Sequence, residues 1–218
     1  MPFFRKLGLG AALTVALLTT AGAVTRGQSN TFEGATTEGW TSGDFNPTPP
    51  VLVASGGPAG AGDGYLLLTS SGVHGPGGKL VTLSAGEWIG DYLNAGVGGI
   101  EMDLNNFGTT NLSLRLYLAG APGFAVLSNT AVELPAGSGW THVSFALSEQ
   151  TLAGPALATL GGVTQIRLYH GSTAVFPGED VSASLGMDNI TAVPEPGAAL
   201  LMGAGLAALA VRRRTCAA

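Results

Sequence analysis

The chain is 218 residues long and carries 9 Lys and Arg against 14 Asp and Glu, a formal net charge of −5, with 35 glycines and one cysteine. The excess of acid argues against a nucleic-acid partner, and a lone cysteine excludes an intramolecular disulfide, so stability has to come from a core or a metal. The length suits one domain of ordinary size with room for special segments at both ends.

At the N-terminus, Arg5 and Lys6 form a positive cluster, Leu7 to Leu18 an apolar run, and Ala21-Gly22-Ala23 a small-residue cleavage site. This predicts a secretory signal peptide over residues 1–23, cut after Ala23. Residues 24–192 then form one domain with four basic residues, Arg26, Lys79, Arg115 and Arg167, against thirteen acidic ones, a formal charge of −9. From Thr31 onward short apolar or alternating runs are separated by Gly, Pro, Ser and Asn, without long helical periodicity, which predicts an all-β sandwich.

The clearest strand is Asn111 to Leu118, where Leu112, Leu114, Leu116 and Leu118 alternate with Ser113, Arg115 and Tyr117. One face is therefore core and the other faces outward. Thr141 to Leu147 alternates likewise, with Val143, Phe145 and Leu147 inward, and so does the run with Ile166 and Leu168 inward and Gln165, Arg167 and Tyr169 outward. Further strands are expected at Thr31–Gly34, Tyr65–Thr69, Lys79–Leu83, Gly99–Leu104, Phe124–Leu127 and Leu185–Ala192. Between them, the stretches 44–50, 55–64, 71–78 and 176–180 are rich in residues that reverse the chain.

Four short motifs occur in order, Asp63-Gly64-Tyr65-Leu66, Glu87-Trp88-Ile89-Gly90-Asp91-Tyr92, Ile100-Glu101-Met102-Asp103-Leu104 and Met187-Asp188-Asn189-Ile190. Their order and spacing resemble the laminin-B-type (laminin IV) jelly roll, a relative of galactose-binding and carbohydrate-binding-module sandwiches. The resemblance implies a jelly-roll β-sandwich. Related carbohydrate-binding modules hold a structural calcium where the first and last strands meet, which here implies Glu33 and Asp188. Calcium takes several oxygen ligands, so backbone carbonyls or waters would complete its shell. The plainer alternative leaves Glu33 exposed and Asp188 capping a local turn.

Glu101 and Asp103, two apart on a strand, share one face like a glycosidase pair, although strand alternation alone puts them there. His74, His142 and His170 are too dispersed for a zinc site and read as solvent-facing. No Gly-x-Ser-x-Gly elbow or phosphate-binding loop is present, so no catalytic residue is assigned. Trp40, Trp88, Trp140 and the tyrosines are mostly packing residues. Tyr117 and Tyr169, lying opposite the leucines of their strands and beside Arg115 and Arg167, are the candidates for an exposed ligand-binding face.

The chain closes with Val193-Pro194-Glu195-Pro196-Gly197, an apolar run from Ala198 to Val211, and Arg212, Arg213 and Arg214. The two prolines predict an exposed linker, and the run predicts a short transmembrane helix whose arginines stay on the cytoplasmic side. Pro-Glu-Pro, short apolar helix and arginine cluster, in that order, resemble the PEP-CTERM sorting signal of Gram-negative bacteria that make exopolysaccharide. The resemblance implies transient membrane association, a processing enzyme of the exosortase type, and delivery across the inner membrane to the cell surface or extracellular matrix. The expected product is a non-enzymatic, exopolysaccharide-associated surface protein. A specific carbohydrate-binding module is the alternative, and a glycoside-acting enzyme is a third reading.

Overall fold

The computed structural model describes residues 23–43 and 45–194. Residues 1–22 of the expected signal peptide, and Glu195, Pro196, the apolar run and Arg212, Arg213 and Arg214 of the tail, lie outside the described residues. Among the described residues, no helix is long and apolar enough to cross a membrane.

In chain order the strands are β1 (Ser29–Asn30), β2 (Trp40–Thr41), β3 (Val51–Val53), β4 (Tyr65–Ser71), β5 (Val81–Ser84), β6 (Gly99–Asn106) and β7 (Leu112–Gly120). They continue with β8 (Phe124–Ser128), β9 (Val132–Leu134), β10 (Trp140–Ala146), β11 (Leu152–Ala153), β12 (Val163–His170) and β13 (Ser182–Val193), and two short helices, α1 (Tyr92–Ala95) and α2 (Ala156–Leu160), sit among them. The first sheet runs β10-β6-β13-β4-β3 and the second β11-β8-β7-β12-β5-β2, with β1 added beside β13 and β9 beside β7. Every strand pair is antiparallel. The chain is thus an all-β sandwich.

Alternation explains the layering. Leu112, Leu114, Leu116 and Leu118 of β7 are fully buried, as are Ile100, Met102 and Leu104 of β6 in the opposing sheet. Each such side chain contributes about 1.5–3 kcal/mol of apolar burial. Val143, Phe145, Ile166 and Leu168 also point into this core.

The first expected strand lies elsewhere. Thr31–Gly34 is not a strand; β1 ends at Asn30, because Phe32 takes a left-handed backbone (φ 54°) and turns its ring into the core at 1 % exposure. Glu33 therefore sits in the loop after β1.

Asn30 links the two layers. Its buried Oδ1 accepts from the indole nitrogens of Trp40, on β2, and Trp88, at 2.9 and 2.5 Å. The two indoles lie 6.2 Å apart, tilted at 55°. Asn30→Leu strands both buried donors and is expected to cost about 3 kcal/mol, read from urea unfolding; a loss below about 1 kcal/mol would contradict this account.

Candidate functional site

Two clusters of polar and aromatic side chains stand out, one on the outward face of each sheet. On the second sheet the register aligns Leu127 with Tyr117, Tyr117 with Arg167, Arg167 with Leu83 and Leu83 with Thr41. Residues paired across a sheet share a face, so these form one outward row. Tyr117, Arg167 and Gln165 are partly exposed.

The neighbouring pair, Arg115 and Tyr169, shares this face but does not reach solvent. Arg115 is 6 % exposed and Tyr169 fully buried, contrary to the expectation that both form an exposed binding face. The reason is the segment 171–180, which folds over them. Arg115 Nε donates to the Gly171 carbonyl at 2.8 Å, Nη1 to the Ser128 and Asn129 carbonyls at 2.8 Å each, and Nη2 to the Ser172 carbonyl at 3.3 Å. Its charge thus holds backbone in place. Lys79 secures the far end of the segment, with Nζ donating to the Gly178 carbonyl and lying 4.0 Å from Asp180.

The same segment brings in Phe176, which strand alternation could not nominate. Its ring stacks on Tyr117 at 4.4 Å and 28°, and meets Tyr169 edge-on at 5.4 Å and 83°. The Arg167 guanidinium carbon lies 4.8 Å from the Phe176 ring centre and 5.7 Å from that of Tyr117, within cation–π range. Its Nε donates to Gln165 Oε1 at 2.6 Å. The result is a partly exposed platform of two stacked rings and a guanidinium.

His170 is also half-sheltered rather than solvent-facing, with its side chain 12 % exposed. Its Nδ1 accepts the Ser113 backbone N–H at 3.1 Å, and burial lowers its pKa below the usual histidine value. His74 and His142 are exposed as expected.

The second cluster lies on the first sheet. Glu101 and Asp103 of β6 share an outward face and both engage His142, at 3.6 and 2.9 Å. The hydrogen bond to Asp103 is the main cause of a raised His142 pKa. Asp188 pairs with Asp103 across to β13 at a bulge, after which Asn189 adopts a left-handed backbone (φ 51°). Bulges of this kind re-aim side chains. Here the Asn189 side chain donates to Asp103 Oδ2 at 2.8 Å and its backbone N–H to Asp188 Oδ1 at 2.7 Å.

That leaves Asp188 Oδ2 fully buried without a partner. Burial first, and then the negative charges of Asp63, Asp103 and Glu33, push the Asp188 carboxyl up to about 7, against the opposing pull of the Asn189 N–H. An orphaned buried carboxylate oxygen beside further carboxylates fits a divalent cation. Glu33 is exposed and accepts the Gly64 N–H at 3.2 Å. Among the described residues, no three His, Cys, Asp or Glu side chains converge on one ion position, so carbonyls and waters would have to supply most of the shell.

No curated protein matches the chain in sequence. Among solved structures the fold is similar to a family 11 carbohydrate-binding module from Clostridium thermocellum in complex with a β-1,3-1,4-mixed-linked tetrasaccharide. The identity is 14 % and the TM-score 0.53, over 80 % of this chain and 98 % of that one. It is also similar to part of an exo-β-agarase, at 14 % identity and TM-score 0.55, over 74 % of this chain and 24 % of that one. The chain spans about a quarter of the agarase. At these identities the likeness establishes the fold. Residues 192–214 match the PEP-CTERM protein-sorting motif, so the chain is an all-β sandwich followed by a PEP-CTERM sorting motif.

Proposed function

We propose that the sandwich is a non-catalytic carbohydrate-binding module, delivered by its tail to the cell surface or extracellular matrix after processing by an exosortase-type enzyme. The observation that carries the binding reading is the partly exposed stack of Tyr117, Phe176 and Arg167 on the second sheet. A flat ring suits the apolar face of a pyranose, and the guanidinium and the Gln165 amide beside it supply polar contacts to oxygen. The shared fold with a module that holds a mixed-linked tetrasaccharide supports the same reading.

Arg115 and Tyr169 serve this face from beneath, by fixing the segment that carries Phe176. Glu101 and Asp103 take no catalytic part in the proposal, since both are engaged by His142 on a strand face. Calcium, in this reading, is structural and held by Asp188 with Glu33.

The test is retention of the full-length protein, in detergent micelles, on immobilised mixed-linked β-glucan, agarose and polygalacturonate. Tyr117→Ala is expected to weaken binding about tenfold, roughly 1.4 kcal/mol, on whichever polymer the parent binds, with the unfolding midpoint little changed. Equal retention of parent and variant would refute the proposed face.

A further inference from the structure

Residues 24–192 contain only four cations, Arg26, Lys79, Arg115 and Arg167, and their placement is uneven. Arg115 is committed to four backbone carbonyls. Lys79 is committed to the Gly178 carbonyl and Asp180. Arg26 lines a cavity with Leu93 and Pro194, where the chain leaves β13. Arg167 remains, in the middle of the outward row on the second sheet.

Its surroundings are unusual for an arginine in so acidic a domain. Among the described residues, no carboxylate lies within 4.0 Å of its guanidinium, and of its nitrogens Nε alone makes a hydrogen bond, to Gln165. The row it shares with Leu127, Tyr117, Leu83 and Thr41 contains no acid. Phe176 and Tyr117 lie against the group, and Gln165 pins Nε, so the plane of the fork is fixed while its terminal nitrogens make no hydrogen bond among the described residues. Partial burial lowers the Arg167 pKa, and the opposing pull of Tyr117 is the smaller effect, so the charge has lost more by leaving water than its neighbours return. A fixed guanidinium fork matches the two oxygens of a carboxylate or sulfate, where it forms short, charge-assisted bonds.

We propose that Arg167 is the anion-recognising residue of this face, so that the polysaccharide it takes carries acidic groups, uronate carboxylates or sulfate esters. The inference rests on the carbohydrate reading above and adds the class of sugar. Tyr117 and Phe176 provide the apolar surface for a sugar ring, and Arg167 takes the acidic substituent of that ring or its neighbour.

The full-length protein, in detergent micelles, is to be measured on polygalacturonate, on κ-carrageenan and on neutral barley β-glucan, with Arg167→Gln, Arg167→Lys and Tyr117→Ala. The parent is expected to bind at least one polyanion about tenfold or more tighter than β-glucan, and the arm that binds identifies carboxylate or sulfate. Arg167→Gln should lose about tenfold or more on that polyanion, several-fold more than it loses on β-glucan. Arg167→Lys should keep part of the affinity, which separates loss of charge from loss of fold. A parent that prefers β-glucan, or an Arg167→Gln variant that weakens on both polymer classes equally or on neither, would overturn this inference. If β-glucan binding fell in Tyr117→Ala while no Arg167-dependent preference appeared, only this inference would fall; retention on no polymer would remove both readings.

Discussion

Arg115→Met is expected to destabilise the protein by about 4 kcal/mol and to release the segment 171–180 from the second sheet. The estimate follows from four carbonyls, of Gly171, Ser128, Asn129 and Ser172, that depend on one buried guanidinium. Hydrogen bonds to a charged donor contribute about 1.5–3 kcal/mol each, but solvent and relaxation recover part of that when the segment opens. Methionine keeps much of the side-chain bulk, so the loss reports the bonds rather than a cavity. Urea unfolding gives the magnitude, and amide exchange across Gly171 to Asp180 shows whether the segment opens. Because Phe176 rides on this segment, glycan retention should fall with it, although Arg115 touches no ligand. A variant within about 1 kcal/mol of the parent, with unchanged exchange, would show that the segment is held by its other contacts.

The second large effect concerns Asp188. In chelator, the melting temperature is expected to fall as pH rises from about 4 to about 7. An unfolded aspartate releases its proton near 3.9, whereas the folded carboxyl is pushed up to about 7. Between those values the folded state holds a proton that the unfolded state has lost, so stability is greatest below the unfolded pKa and declines until the folded group ionises. Calcium should reverse the decline near pH 7, because it binds the ionised form; at a hundredfold excess over Kd the gain is about 2.7 kcal/mol. Asp188→Asn is expected to flatten the pH dependence and abolish the calcium response together. An unchanged melting temperature on adding calcium at pH 7.5 would dismiss the ion, and a pH slope that survives in Asp188→Asn would dismiss the carboxyl as its source.

The sorting motif could be read directly because it is linear: prolines, apolar run and arginines signal by order alone, and residues 192–214 match it. Strands β7, β10 and β12 were legible from their period of two. The short strands β2, β3, β9 and β11, of two or three residues, were not, since nothing alternates over so few positions. Periodicity also assigns a side chain to a face without revealing what covers it. Arg115 and Tyr169 do lie opposite the leucines, yet the segment that directly follows β12 closes over them. Phe176, in a turn-rich stretch before Pro177, had no periodic neighbour to mark it. The resemblance to calcium-holding modules points to Asp188, but its orphaned oxygen arises from the bulge and the left-handed Asn189, which only the pairing of β13 with β6 makes visible.

The sorting segment continues from β13, and β13 is an interior strand flanked by β6 on one side and by β4 and then β1 on the other. Tension applied through the C-terminal end therefore runs along the axis of a strand whose ladder bonds lie perpendicular to it. Those bonds are loaded together in shear, rather than peeled apart one after another as on an edge strand. A pull along that axis has to shear the ladders on both sides of β13 at once before the strand can leave the sheet.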